Sequence, residues 1–218
     1  MKKEIISKGV MRSGTVLLRL ILSDLFNLHK ISPDYYYRAA FNEKGDTWTH
    51  SYEPVCDKQV VITTWRDPRN VILSMIRVEK KASNQVITTD TCFNQIVYNI
   101  YPSFCYIYRV TNEAPFSLDL KYEKWHKDFD YLFDTLENFF TLTISQKIRE
   151  EIKVKYSKES IKNYQSKFSS FKEFDPSTHI HGNHIFKGEN NWKKILDKNT
   201  LNLINPLLKP YIEKWESL

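Results

Sequence analysis

Hydrophobic positions along the chain follow two periods. Lys3 to Ser7 reads as a short strand, and Val60-Val61-Ile62-Thr63-Thr64 is a β-branched run suited to a central parallel strand. Phe116 to Lys121 alternates and predicts a third strand. Between them the spacing becomes helical. Leu17, Leu18, Ile21, Leu25 and Leu28 predict a mostly buried helix over Val16–Asn27. Asp67-Pro68 opens a second helix, with Asp as N-cap and Pro at the first turn, running to about Lys81. Further helices are expected over 91–112, 127–140, 145–163 and 199–216, the last kinked or interrupted by Pro206 and Pro210. Residues 29–58 carry turn signals (Ser32-Pro33-Asp34, Lys44-Gly45-Asp46) around a Tyr35-Tyr36-Tyr37 run, which predicts an irregular, partly exposed region. Residues 165–191 read as a long functional loop. Strand–helix alternation predicts an α/β protein with a central, mostly parallel sheet flanked by helices, one domain over 1–218.

Composition narrows the partners. A net charge of +6 suits an anionic ligand, although many lysines in the C-terminal half have the spacing of solvated helix faces. No helix-turn-helix, zinc-finger or RNP-like pattern is present, so nucleic acid is not expected as a partner. Cys56, Cys92 and Cys105 make an odd count without CxxC spacing, which argues against a disulfide framework or zinc site. Met1 to Ile6 runs straight into the first strand without an apolar leader, and Val16 to Leu28 is too short and too polar to span a bilayer. The expectation is a cytoplasmic protein with no membrane span.

Candidate chemistry gathers at two strand-to-helix junctions. The first is Lys8-Gly9-Val10-Met11-Arg12-Ser13-Gly14-Thr15, and the second is Arg66-Asp67-Pro68-Arg69-Asn70-Val71-Ile72-Leu73-Ser74. Each places cations and hydroxyls at a helix N-terminus, where backbone N–H groups and the dipole favour an anion. Gly9 and Gly14 have the glycine spacing of a Walker A loop, but Thr15 and Val16 stand where its Lys and Ser or Thr belong. The groups that reach a γ-phosphate and hold Mg²⁺ are therefore missing, which disfavours ATP or GTP cleavage. Arg12, Ser13, Gly14 and Thr15 can still cradle one phosphate without metal. Read alone, each junction is equally an ordinary capped turn, with Arg12 or an Asp67–Arg69 ion pair at the surface.

Taken together, the two junctions resemble those of the sulfotransferases that use 3′-phosphoadenosine 5′-phosphosulfate. Arg12-Ser13-Gly14-Thr15-Val16-Leu17 is similar to that family's [KR]-S-G-T-T-[WL] loop. Arg66 through Ser74 matches its R-[DN]-P-[RK]-[DN]-V-x-x-S segment at every specified position. Weaker matches follow at Trp48-Thr49-His50, at Tyr122-Glu123 and at Phe186-Lys187-Gly188 with Trp192-Lys193. Trp48 and Phe186 stand where the family has Lys and Arg, Val16 where it has a second Thr, and the stretch from Gly188 to Trp192 is one residue short.

The resemblance implies a three-layer P-loop-type fold. It implies that Arg12, Ser13, Gly14, Thr15 and Val16 hold the 5′-phosphosulfate end and that Arg66 and Ser74 hold the 3′-phosphate. Tyr122 would lie near the nucleotide, and Lys187 and Gly188 in the loop that closes over it. The implied reaction is in-line sulfuryl transfer to a hydroxyl or amine of a small molecule or saccharide, without an obligatory metal, leaving adenosine 3′,5′-bisphosphate. His50 is the candidate general base, because imidazole titrates near neutrality; Glu43, Asp46 and Glu53 are alternatives nearby. Arg12 would stabilise charge on the leaving nucleotide, and Ser74 would link the 3′-phosphate to the reacting centre. The chain is shorter than most cytosolic members, so its acceptor pocket is expected to be reduced or completed by a second subunit.

Two alternatives stay open: a P-loop small-molecule kinase, and a noncatalytic nucleotide-binding protein. His179-Ile180-His181-Gly182-Asn183-His184 has the spacing of a metal signature with Asn for Asp, but no histidine follows to complete a binuclear site, so no metal site is expected.

Overall fold

The computed structural model describes residues 2–38, 56–79, 87–170, 173–182 and 191–218. Four strands, β1 (Lys3–Gly9), β2 (Tyr35–Tyr37), β3 (Gln59–Trp65) and β4 (Ser117–Lys121), form one sheet in the order β2-β1-β3-β4. Every pairing is parallel. Strand order reverses between β1 and β3, and at such a point ligands of open α/β sheets bind, beyond the carboxyl ends of the strands.

Burial on both faces explains why β3 reads as a continuous apolar and β-branched run. On one face Ile5, Val60, Ile62 and Leu120 pack with helices α1 (Thr15–Ser23), α6 (Phe129–Phe140) and α7 (Gln146–Lys155). On the other, Trp65 packs with α2 (Pro68–Glu79), α3 (Thr89–Gln95), α4 (Tyr101–Glu113) and α10 (Lys198–Glu216). The result is a three-layer α/β/α arrangement. The remaining helices among the described residues are α5 (Tyr122–Trp125), α8 (Lys158–Gln165) and α9 (Trp192–Ile195).

The structure differs from the periodicity in five places. Residues expected to be irregular contain β2, whose register is Lys3↔Tyr35 through Ile5↔Tyr37. Three tyrosines give no alternation, and the strand is held from outside its own sequence. Asn27 brackets the Tyr37 backbone with bonds of 2.8 and 2.9 Å, and the Tyr37 hydroxyl meets Ser7 Oγ at 2.6 Å. Tyr35 packs edge-on against Phe26 and Phe140, so partly buried Tyr35 and buried Tyr37 both join the core.

The helix expected over 145–163 is two. Tyr156 ends α7, and Ser157 caps α8 by accepting the Ser160 N–H at 3.1 Å. The change of phase is visible afterwards: Ile161 comes nine residues after Ile152, on the opposite side of any continuous helix. The expected 91–112 helix passes through a π-helical turn at Ile96–Ile100, and α1 likewise continues into one at Asp24–Leu28. Conversely, α10 runs uninterrupted through Pro206 and Pro210. Both prolines lie on its exposed face, while Ile204, Leu208 and Tyr211 bury the other, so packing holds the helix despite the missing N–H groups.

Candidate anion site

The first junction leaves β1 at Gly9, and the second leaves β3 after Trp65. Their strands are adjacent, with Gly9 in register with Thr64. The parallel pairing therefore delivers both junctions to one end of the sheet.

The first loop is shaped by its backbone. Arg12 and Gly14 both adopt the left-handed region, at φ 67° and 85°. Gly14 is the N-cap of α1 and so carries no side chain to cap it. A Cβ there would lie 2.6 Å from the Tyr122 ring, so glycine is required by sterics as well as by φ. The N–H groups of a helix's first turn have no intrahelical acceptor, and this is the end at which Thr15 and half-buried Val16 stand. Ser13 is fully buried and donates its hydroxyl to Val10 O at 2.5 Å, tightening the turn from inside. Thr64 Oγ1 donates to Ser13 O at 2.8 Å and accepts from Trp125 Nε1 at 3.0 Å, pinning the loop to β3 and α5.

The second loop is shaped by side chains. Asp67 caps α2 by accepting the Arg69 N–H at 3.0 Å. It also takes Arg69 in a bidentate pair, Nε to Oδ1 at 2.8 Å and NH2 to Oδ2 at 2.9 Å. Both residues are buried, so this ion pair lies inside the protein rather than at the surface. Asp67 Oδ2 receives a further bond from Trp192 Nε1 at 2.8 Å. The Arg69 guanidinium lies 4.0 Å over the Trp192 ring, and the Trp192 N–H donates to Asn70 Oδ1 at 3.2 Å. From the opposite side the Asp67 N–H donates to Glu123 Oε1 at 3.1 Å, while Glu123 Oε2 accepts from Trp215 Nε1 at 2.9 Å.

Four of the residues singled out by sequence meet here. Arg12 Nε donates to Ser74 Oγ at 3.1 Å, joining the two junctions directly. Arg66 NH1 donates to Arg12 O at 2.8 Å, and its guanidinium sits 4.8 Å over the Tyr122 ring. Burial, and then the neighbouring Arg66 charge, lower the Arg12 pKa to about 10. Arg12 is still a cation at neutral pH, but an expensive one: two guanidiniums share a partly desolvated corner, and an anion between them would relieve the repulsion. The residues present thus fit a phosphate or sulfate group. Burial raises the Tyr122 pKa, keeping it a neutral ring. His126 stacks on Tyr122 at 4.5 Å; desolvation, then the charges of Arg66, Lys158 and Lys127, push its pKa down to about 4.

His50, Lys187 and Gly188 lie outside the described residues, as do Glu43, Asp46, Trp48, Glu53, Phe186 and His184. His179 and His181 stack on Phe174 at 5.3 and 5.0 Å, and no cluster of three metal-ligating side chains occurs among the described residues. Sequence reasoning did not single out Glu123 or Trp192 as supports of the second loop. Each was visible only as part of a resemblance, because partners more than fifty residues away leave no periodic trace. No helix of the described residues is long and apolar enough to cross a membrane.

No protein-family model matches the chain, and no curated protein matches it. Solved structures do. A retinol dehydratase in complex with androsterone and the inactive cofactor PAP superimposes with a TM-score of 0.61 at 13% identity, covering 96% of this chain and 80% of that one. A mouse sulfotransferase complexed with PAP gives a TM-score of 0.61 at 15% identity, covering 97% and 85%. With both cationic junctions at one end of a parallel sheet, the chain has the fold of the PAPS-dependent sulfotransferases.

Proposed function

We propose that this protein transfers a sulfuryl group from 3′-phosphoadenosine 5′-phosphosulfate to a hydroxyl or amine of a small-molecule or saccharide acceptor. The observation that carries the proposal is the Arg12–Ser74 bond with Arg66 on the Arg12 carbonyl, which links the two junctions into one cationic corner. The backbone of the first loop and Arg12 would hold the 5′ end, with Arg66 and Ser74 on the 3′-phosphate and Tyr122 flanking the nucleotide. The sulfur–oxygen bond to the 5′-phosphate breaks as the acceptor attacks in line. Arg12 offsets the negative charge left on that phosphate oxygen, and the acceptor's proton passes to His50. The nucleotide and the acceptor are the proposed partners.

The test is calorimetry with adenosine 3′,5′-bisphosphate in the absence of Mg²⁺, followed by turnover of phenol, alcohol and saccharide acceptors in wild type and His50→Ala. Micromolar binding with turnover lost in His50→Ala supports the proposal. Binding without turnover of any acceptor would leave a nucleotide-binding protein. Binding of ATP–Mg²⁺ in place of the bisphosphate would point to a kinase.

A further inference from the structure

Asp67 poses an electrostatic problem for the second loop. It neighbours Arg66, the cation proposed to take the 3′-phosphate, and a carboxylate there could draw Arg66 away or repel an incoming anion. The structure turns it elsewhere. Oδ1 accepts from Arg69 N and Nε, and Oδ2 from Arg69 NH2 and Trp192 Nε1. Both carboxylate oxygens are occupied, and Arg66 extends instead to Arg12 O and the Tyr122 face.

Trp192 is the distant member of this arrangement. It stands 125 residues from Asp67 in sequence and opens a four-residue helix, α9, that contains no fully buried residue. Its indole N–H binds Asp67, its ring lies under Arg69, and its backbone N–H reaches Asn70. All three contacts go to the turn that follows Arg66.

We propose that Trp192 is a positioning residue for Arg66: by holding the Asp67 carboxylate against Arg69, it leaves Arg66 aimed at the nucleotide's second phosphate. The inference rests on the proposed function and adds to it a residue that acts through another. Without the indole N–H, one acceptor site on Oδ2 is released toward Arg66. The loss should appear only with ligands that carry the group Arg66 binds.

The experiment compares calorimetric affinities for adenosine 3′,5′-bisphosphate and adenosine 5′-monophosphate, which lacks the 3′-phosphate. The proteins are wild type, Trp192→Phe, Arg66→Ala and the double variant. Phenylalanine keeps a ring beneath Arg69 and removes the N–H. The expected result is an about five- to tenfold loss of preference for the bisphosphate in Trp192→Phe, the size of one buried hydrogen bond. Monophosphate affinity should be unchanged, and no further loss should occur in the Arg66→Ala background. A Trp192 that merely stabilises the fold would lower the melting temperature and leave the preference intact, which overturns the inference while the proposed function stands. A wild type with no preference for the bisphosphate overturns both. If Trp192→Phe does not fold, Asn70→Ala removes only the acceptor of the Trp192 backbone N–H. A smaller drop in the same preference then supports the inference, and an unchanged preference overturns it.

Discussion

The two junctions reach the same end of the sheet by different physics. In the first loop the backbone does the shaping, with two left-handed residues, Arg12 and Gly14, and a buried Ser13 tied to Val10 O. In the second, side chains do it, with Asp67, Arg69, Glu123 and two tryptophans bracing a turn of ordinary helical-cap form. A loop built on backbone conformation fails through sterics, and one built on polar side chains fails through charge. The first should therefore be intolerant of added atoms, and the second of lost partners.

The largest expected effect is at the second loop's cation. Arg66→Ala removes the bond to Arg12 O and the charge-assisted contact proposed for the nucleotide, and should weaken adenosine 3′,5′-bisphosphate binding by about 100-fold in calorimetry. The melting temperature should barely move, because Arg66 also contributes to the crowded charge at Arg12.

Gly14→Ala should do the reverse. A Cβ at φ 85°, 2.6 Å from the Tyr122 ring, should cost about 2–3 kcal/mol of stability in denaturant titration. Equal stability in Gly14→Ala and wild type would mean that the first loop is not set by backbone sterics, and the contrast between the loops would dissolve.

Ser74→Ala sits where the loops touch. Losing the Arg12 Nε–Ser74 Oγ bond should reduce bisphosphate affinity by about fivefold with little change in stability. A loss as large as that of Arg66→Ala would make Ser74 a principal ligand contact rather than a link.

The last effect concerns pH. The folded His126 pKa of about 4 lies below the ordinary 6.5, so between those values the unfolded chain binds a proton that the folded chain does not. Stability must then fall as pH drops through that window. His126→Gln should flatten this part of the melting-temperature profile and leave the profile above pH 7 unchanged.

Much of the architecture was legible in the sequence. The β-branched run at 60–64 and the alternation before Lys121 marked strands β3 and β4, and the Asp67-Pro68 cap marked the start of α2. These features are local, since period and capping act over a few residues. β2 escaped because three tyrosines carry no period and their hold comes from Asn27 and Ser7. The break at Ser157 escaped because helix-forming residues continue on both sides of it, although the Ser157 cap and the out-of-phase Ile161 mark it.

The sequence by itself determined most of the elements, their order and the two cationic strand-to-helix junctions, because each of these is written in neighbouring residues. Tertiary structure decided which of those residues meet. Arg12 joins Ser74 across 62 residues because Gly9 lies in register with Thr64, and Trp192 reaches Asp67 across 125 because α9 docks on the turn that opens α2. Contacts at such separations depend on strand order and helix packing, which no local pattern encodes.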